Sequence, residues 1–343
     1  MIETLRAVSP LRGARVCPSR MVGHPQQALA VDDEHLVLLD ETAPPALRVL
    51  NLARARVLRQ TGSRGRSPGA FLGPRSLTRR KDDPDGVWAF DSVLHRLTRF
   101  DLHGEAVGLP PRRLPEHTVT LEAIHPVQQA EWAGDSIVAT GAFPTNRLAR
   151  FDAQGRLIET FGQVPGPHAE DLAIRQAAYE SVLRVHPGGS LYALATRRAD
   201  RLEVLDTDGH VLARAPRLQD FEPHYRVDRT FGRPVALFDE RTRTGYIDLV
   251  AGADSLFALY GGRRPLECGA AASAGRLVVE FGWDLHLRRA FELDYDAIAL
   301  GLSPCGTHLY AAIRSPGPGI LRYALREDRP ETAVLPFPTQ RVV

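Results

Sequence analysis

Residues 190–196 read SLYALAT, a polar start followed by a short apolar run with Tyr192 near its centre. The same pattern returns five more times at wide intervals along the chain. The six copies are His35–Glu41, Gly86–Ser92, Ser136–Ala142, Ser190–Thr196, Ser255–Gly261 and His308–Arg314. Their central residues are Val37, Trp88, Val138, Tyr192, Phe257 and Tyr310, which are 51, 50, 54, 65 and 53 residues apart. Short apolar runs bounded by polar or glycine turns are typical of β-strands.

A period near fifty residues with strands inside each unit predicts a radial array of β-repeats. Each copy is followed by a second amphipathic segment, and several of these end in an Asp-x-x-Gly turn, such as Phe151–Gly155 (FDAQG) and Leu205–Gly209 (LDTDG). We interpret these aspartates as turn formers, because an aspartate side chain bonds the turn backbone while glycine supplies positive φ. The expected fold is therefore all-β, a six-bladed β-propeller with four-stranded antiparallel blades.

Three stretches depart from the period. Residues 168–180 (HAEDLAIRQAAYE) predict one short helical insertion, and residues 217–244 form a polar insertion. Residues 261–275 form a glycine- and alanine-rich loop that we expect to be mobile. In an antiparallel blade these insertions share the face at which the innermost strands begin, which we call the top face. For the domains we expect residues 1–20 to close or brace the propeller and residues 21–343 to form its blades.

Composition limits the classes of function. The net charge of +2, with acids and bases mixed throughout, gives no basic stripe for nucleic acid and no attraction to an anionic membrane. The first twenty residues hold four arginines and no long apolar run, so we expect neither a signal peptide nor an anchor, and a cytoplasmic location. Three cysteines without a CxxC pair argue against a disulfide framework and a zinc site.

Residues 62–104 resemble a blade of the NHL repeat type. The stretch GSRGRSPGAFLGPRSL is similar to the glycine-rich lead-in of that family, and VWAFDSVLHRLTRFDLHG is similar to its strand core. Pro68, Gly69, Phe71 and Pro74 carry the lead-in. The resemblance implies the shape of one blade.

A broader resemblance, over about residues 60–325, is to the TolB-like six-bladed propellers of bacteria. It is carried by AYESVLRVHPGGSLYALAT, GYIDLVAGADSLFALYGG and FGWDLHLRRAFELDYDAIALGLSPCGTHLYAAI. Tyr260–Gly262 and the Trp283-Asp284 turn are its most specific parts, whereas Leu285 and His286 stand where the family usually has a glycine turn. Many relatives look exported and lipid-anchored, and this chain carries neither signal. The resemblance implies a fold, since most members have no assigned activity.

No strong catalytic motif is present: the sequence has no G-x-S-x-G elbow, no H-E-x-x-H, no phosphate-binding loop and no dinucleotide fingerprint. The sequence therefore favours a non-catalytic scaffold that binds a protein, peptide or small ligand on the top face. Tyrosine and arginine dominate binding hot spots, so we select them at strand starts and long loops. The predicted ligand-binding residues are Arg75, Glu122, Tyr179, Tyr246, Tyr260, Arg263, Arg264 and Tyr295.

An alternative reading is a metal-dependent hydrolase or lyase similar to gluconolactonases, with one divalent cation, Ca²⁺ or Zn²⁺, at the channel mouth. Oxygen ligands from separate blades could meet on the axis and lower the pKa of a bound water. The candidate ligands are Glu122, Asn146, Asp248 and Asp296. The scaffold reading expects no cofactor.

Overall fold

The computed structural model describes residues 8–40, 44–102, 117–168, 171–230 and 232–325, which form mainly β-strands. The first elements are the short strands β1 (Ser9–Leu11) and β2 (Ala14–Arg15) and a turn of 3-10 helix at Ser19–Met21. None of the helices within these ranges is long and apolar enough to cross a membrane.

Four antiparallel sheets of four strands each follow within the described ranges. The first contains β3 (Pro25–Ala30), β4 (His35–Asp40), β5 (Leu47–Asn51) and β6 (Arg56–Thr61). The second contains β7 (Pro74–Arg80), β8 (Asp83–Asp91), β9 (Arg96–Asp101) and β10 (Thr118–Thr120). The third contains β11 (Val127–Ala133), β12 (Ser136–Gly141), β13 (Leu148–Phe151) and β14 (Leu157–Phe161). After the helix α1 (Leu172–Ala178), the fourth contains β15 (Ser181–Val185), β16 (Tyr192–Thr196), β17 (Leu202–Leu205) and β18 (Val211–Arg214).

The C-terminal part of the described chain is built differently. A two-stranded sheet, β19 (Arg226–Asp228) with β20 (Val235–Leu237), precedes a sheet of eight strands. That sheet contains β21 (Tyr246–Ala251), β22 (Ser255–Tyr260), β23 (Gly275–Gly282), β24 (Leu287–Leu302), β25 (His308–Ile313) and β26 (Gly319–Ala324). Its remaining strands come from the N-terminus, because β2 pairs antiparallel with β26 and β1 pairs parallel with β24. The helix α2 (Pro265–Cys268) and a 3-10 helix at Gly269–Ser273 lie between β22 and β23.

All six sequence copies are strands. They correspond to β4, β8, β12, β16, β22 and β25, and each follows an inner strand through a short turn. The Asp-x-x-Gly turns also have the expected form: Asp152 Oδ1 accepts hydrogen bonds from the backbone of Gln154 and Arg156, and Gly155 has a φ of +87°. The turn at Phe100–Gly104 extends beyond the described residues.

The structure confirms the helical insertion and finds more order than expected in the long loop after β22. Helix α1 lies inside the stretch predicted to be helical, and Asp171 caps it by accepting a hydrogen bond from Ala173 N at 2.8 Å. Residues 261–275, expected as a mobile loop, contain α2 and the 3-10 helix. Pro265 stands in the first turn of α2, where its fixed φ favours helix formation.

The inner strands stand side by side in the order β3, β7, β11, β15, β21 and the second half of β24, which returns to β3. A side chain of one strand repeatedly bonds the next. The links are Gln27 to Leu77, Ser76 to Ala130, Gln129 to Leu183, Arg184 to Asp248, and Asp248 to Leu300. These links, each joining residues 50 to 64 positions apart in the chain, hold neighbouring inner strands in register.

Between the sheets the core is apolar. Trp88 of β8 meets Trp132 of β11 edge to face, with ring centroids 5.1 Å apart, and both rings are buried. Aromatic pairs of this geometry contribute about 0.5–1.5 kcal/mol beyond the area they bury. Packing of this kind between adjacent sheets leaves the ends of the inner strands as the place where polar side chains collect.

Candidate functional site

A cavity of about 140 Å³ opens where the inner strands begin, and we call it the channel mouth. Its wall comes from every inner strand, from the residues that follow β16 and β25, and from the 3-10 helix before β23. The lining residues are Pro25, Gln26, Gln27, Arg75, Gln129, Val182, Arg184, Arg197, Ile247, Asp248, Ser273, Ile298 and Arg314. Because Ser273 is among them, the long loop after β22 reaches this opening.

A β-bulge recurs near the start of most inner strands. The register shifts by one residue in β3, β7, β11, β21 and β24, so that a single residue lacks a partner on the neighbouring strand. The extra residues are Gln26, Arg75, Gln128, Ile247 and Ile298. Four of them line the channel mouth, and Val182 of the regular strand β15 completes the set. A bulge turns its extra side chain away from the ladder, which explains how so many side chains reach one opening.

Four arginines line the channel mouth. Arg75 and Arg314 are exposed, Arg197 is partly exposed and Arg184 is buried. Arg197 donates a hydrogen bond to the carbonyl of Ile247 at 3.1 Å and lies 3.7 Å from Glu180. Burial lowers the pKa of Arg197, and the positive charges of Arg198 and Arg75 act in the same direction while Glu180 opposes them. The cations therefore crowd one another at the opening.

The carboxylates near the mouth are engaged in structural contacts. Arg184 donates to Glu131 at 2.8 Å and to Asp248 at 3.0 Å, and Asp248 also accepts from the backbone of Leu249 and Leu300. Burial raises the pKa of both Glu131 and Asp248, although Arg184 opposes the effect. A carboxylate with its oxygens filled in this way positions the strands and is not free to act as a base or a metal ligand.

Glu180, just before β15, is the third carboxylate. It receives a hydrogen bond from Arg198 at 2.9 Å, and burial acts to raise its pKa. The charges of Arg197, Arg198 and Arg75 outweigh burial, so that the pKa of Glu180 is lowered and the group stays ionised.

Of the predicted binding residues, Arg75 lies in the channel mouth. Tyr246 and Tyr260 are buried and pack edge to face with ring centroids 5.2 Å apart, so they belong to the core. Tyr179 is also buried, and its hydroxyl donates to Glu222 at 2.8 Å. Tyr295 is exposed on β24 outside the mouth.

The other predicted residues lie on the surrounding surface. Arg263 donates to Asp296 at 3.0 Å, and Arg264 lies 3.6 Å from Glu267 of α2. Glu122 is exposed after β10, and its backbone N–H donates to the carbonyl of Gly155. The residue of β11 that corresponds to Arg75 is Gln128, because β11 begins at Val127 rather than near Glu122.

The residues proposed as metal ligands do not form one donor set in the described ranges. Asp248 accepts a hydrogen bond from Arg184, and Asp296 accepts hydrogen bonds from Arg263 and Arg276. The side-chain amide of Asn146 donates hydrogen bonds to the hydroxyl groups of Thr145 and Thr160. Glu122, Asp248 and Asp296 do not come within ligand distance of one another as a group. The described residues hold one such group, Asp206, Asp208 and His210, which is a turn in which Asp206 Oδ1 accepts hydrogen bonds from the backbone N–H groups of Asp208 and His210.

The mouth residues missed by sequence reasoning are chiefly Gln26, Arg184, Arg197 and Arg314. Arg197 is followed by Arg198, and such a doublet does not stand out in a chain whose Lys and Arg residues are nearly all arginine. Arg314 ends the sixth strand copy, and the bulges leave no mark in the alternation of residues. An alignment of the six repeats on their inner strands, allowing one extra residue in each, places Gln26 and Arg75 at the same position.

No family model and no curated protein matches the chain. Solved structures similar to it include the β-propeller domain of Cps50 (Swd1) from Myceliophteria thermophila. That domain shares 12% sequence identity with a TM-score of 0.51, and the alignment covers 92% of this chain and 100% of that domain. The structure of U3-55K shares 10% identity with a TM-score of 0.53, covering 91% of this chain and 98% of U3-55K. Similarity at this level establishes the fold alone: the chain is a β-propeller of four-stranded antiparallel blades.

Proposed function

We propose that the chain is a six-bladed β-propeller that serves as a non-catalytic scaffold and binds a ligand or partner on its top face. The blade number rests on the eight-stranded sheet. The first half of β24 pairs with β23 and its second half pairs with β25, so one long strand joins two four-stranded units. The second unit takes β2 as its outer strand, so that one blade contains both an N-terminal and a C-terminal strand of the described chain.

The observation that carries the binding function is the convergence of bulged side chains on the channel mouth. Side chains from every inner strand reach one open cavity, and the inserted 3-10 helix adds Ser273 to its wall. Rigid scaffolds place their contacts on such concave, loop-bordered surfaces. Among the described residues at the mouth, the carboxylates are held by arginines and backbone groups, which favours binding over catalysis.

The TolB-like resemblance remains a prediction about ancestry. The proposed partner is a protein, peptide or small molecule, because acids and bases are mixed throughout the sequence and give no basic stripe for nucleic acid.

A pair of tryptophan substitutions at opposite ends of the channel tests the proposal. Gln26→Trp fills the mouth, whereas Lys81→Trp places the same side chain in the turn after β7, at the other end of the inner strands. A panel of small acids, sugars and short peptides is screened by thermal shift against the wild type and both variants. We expect compounds that stabilise the wild type to lose their effect on Gln26→Trp and to keep it on Lys81→Trp.

The opposite pattern, or equal shifts in both variants, rules out the top face as the binding surface. Compounds that bind are then incubated with the protein and analysed by mass spectrometry. Recovery of the unaltered compound is the expected result, and an accumulating product would exclude the non-catalytic role.

A further inference from the structure

Positive charge exceeds negative charge around the channel mouth. The arginines are Arg75, Arg184, Arg197, Arg198 and Arg314, and the carboxylates among or beside them are Glu131, Glu180 and Asp248. Five cations against three anions leave an excess of two positive charges when all are ionised. An opening of this kind attracts an anion.

The contacts show which cations face the cavity. Arg184 is shared between Glu131 and Asp248, and Arg198 bonds Glu180, so these arginines are largely occupied. Arg314 is exposed at the end of β25 and makes no hydrogen bond or ion pair with any residue in the described ranges. Arg75 is exposed on the bulge of β7, and its charge reaches Arg197 and Glu180.

The three arginines that face the opening are spread around it. Arg75 belongs to β7, Arg197 follows the partner strand of β15, and Arg314 follows the partner strand of β24. In the order β3, β7, β11, β15, β21, β24, the strands β7, β15 and β24 are every second one, so one inner strand separates each of the three arginines from the next. Cations that surround an opening on three sides favour a ligand with its charge near the axis, and guanidinium groups bind carboxylate oxygens in a paired geometry.

The rest of the wall divides into a polar and an apolar part. Gln26, Gln27 and Gln129 stand on β3 and β11, on either side of Arg75, whereas Val182, Ile247 and Ile298 stand on β15, β21 and β24. A bare inorganic anion would gain nothing from the apolar part. The cavity of about 140 Å³ has room for a few carbon atoms and a charged end group, which is far less than a nucleotide requires.

We propose that the channel mouth binds a carboxylate carried on a short aliphatic chain, with Arg75, Arg197 and Arg314 around the carboxylate and Val182, Ile247 and Ile298 against the chain. This inference rests on the proposed top-face binding function and names its ligand class. The carboxylate belongs either to a free dicarboxylic acid or to an acidic side chain of a peptide.

Isothermal titration calorimetry at low ionic strength tests the inference with four probes. Glutarate represents the free acid, a capped Ala-Glu-Ala peptide represents the acidic side chain, glutaramide is the neutral analogue of glutarate, and inorganic phosphate is an anion without a chain. We expect glutarate or the peptide to bind, glutaramide to bind at least about tenfold more weakly, and phosphate to bind more weakly than the better carboxylate. The tighter of glutarate and the peptide identifies the source of the carboxylate.

Matched charge variants locate the binding. Arg75→Gln and Arg314→Gln each remove one exposed charge at the mouth, and Lys81→Gln removes one exposed charge in the turn at the other end of β7. We expect each arginine variant to weaken binding about tenfold and the lysine variant to change it less than twofold. Melting temperatures of the variants confirm that the fold is retained, because all three side chains are exposed.

Equal affinity for glutarate and glutaramide, or equal affinity of wild type and arginine variants, overturns the inference, and so does tighter binding of phosphate. If carboxylates fail while Gln26→Trp still blocks a neutral ligand, the proposed binding face stands and the ligand class is wrong. If Gln26→Trp blocks no ligand at all, the proposed function itself fails.

Discussion

Asp83 illustrates how the fold gives a particular role to a carboxylate that looks ordinary in the sequence. Residues 82–86 (DDPDG) predict a solvated turn, yet Asp83 belongs to β8 and accepts two hydrogen bonds from Arg99, each of 2.7 Å, and one from Trp88. The pKa of Asp83 is lowered, mainly by its hydrogen bonds with Arg99. Asp82 has a bidentate pair with Arg80 but is largely exposed.

The two aspartates predict different effects on stability. Asp83→Asn should lower the free energy of unfolding by about 1–2 kcal/mol at pH 7, because a charge-assisted paired contact is lost. Since the folded pKa of Asp83 lies below its unfolded value near 4, this contribution is present above about pH 4 and disappears as the pH falls through the folded pKa. The difference between variant and wild type, measured by urea unfolding from pH 7 to pH 3, should therefore shrink on acidification.

Asp82→Asn is the control, with an expected change of about 0–0.5 kcal/mol at pH 7, because exposed ion pairs contribute little. A loss for Asp82→Asn as large as that for Asp83→Asn would contradict this account of the turn.

Individual residues were predictable where the reason for them is local. Asp152 and Asp206 were recognised as turn formers, since an aspartate followed by a glycine three positions later bonds its own turn. The sequence does not mark Tyr246 and Tyr260 as core residues, because a tyrosine at the end of a strand gives no sign whether its ring points to the surface or to the next sheet.

At the scale of elements, strands were visible in the sequence and their irregularities were not. The apolar runs marked the six strand copies, and acidic residues before an alanine-rich stretch marked α1. The bulges at Gln26, Arg75 and Ile247 each add one residue to an inner strand, and the strand paired with it has no residue to match. The alternation of apolar and polar residues is a property of one strand, whereas a bulge depends on how that strand pairs with its partner. The sequence alone therefore does not show which side chains line the channel mouth.

Adjacent glutamines on β3 separate the two roles of an inner strand. Gln27 is buried and bonds both backbone groups of Leu77, whereas Gln26 faces the channel mouth and makes no hydrogen bond with a described residue. Gln27→Ala should lower the free energy of unfolding by about 1–3 kcal/mol, because it leaves the backbone N–H of Leu77 buried without a partner. Gln26→Ala should change it by less than about 0.5 kcal/mol. Denaturant unfolding of the two variants measures both values, and equal losses would show that the links between inner strands do not stabilise the fold.

At the scale of the whole molecule, the fifty-residue period was the strongest signal in the sequence, and the β-propeller it predicted is confirmed. The period reveals the architecture because each unit repeats the same apolar strand, which has to be buried against the neighbouring sheets. It says little about the ends of the chain, where no second copy exists for comparison. There, Asp294 accepts hydrogen bonds from the backbone of Gly13 and from the hydroxyl of Tyr323, and so ties the N-terminal strands to the last ones.

Gly13 lies where these ends meet, and it has room for hydrogen alone. A Cβ atom at this position would stand 2.7 Å from Cζ of Tyr323, whose ring is buried. Gly13→Ala should therefore lower the free energy of unfolding by about 1–3 kcal/mol, since the ring must move. Gly317→Ala, whose Cβ atom would lie 3.5 Å from Ser19 Oγ, should be nearly neutral. Thermal melts of both variants give the comparison, and a neutral Gly13→Ala would show that the contact at the chain ends is loose.

The recurrent bulge allows the residues that line the channel mouth to change during evolution while the fold is kept. Gln26, Arg75, Ile247 and Ile298 stand outside the pairing of their strands, so each can be exchanged without breaking a backbone ladder. One blade can thus alter its contribution while the others keep theirs. Recognition in such a molecule can drift by single steps, and descendants with the same scaffold can acquire unrelated ligands.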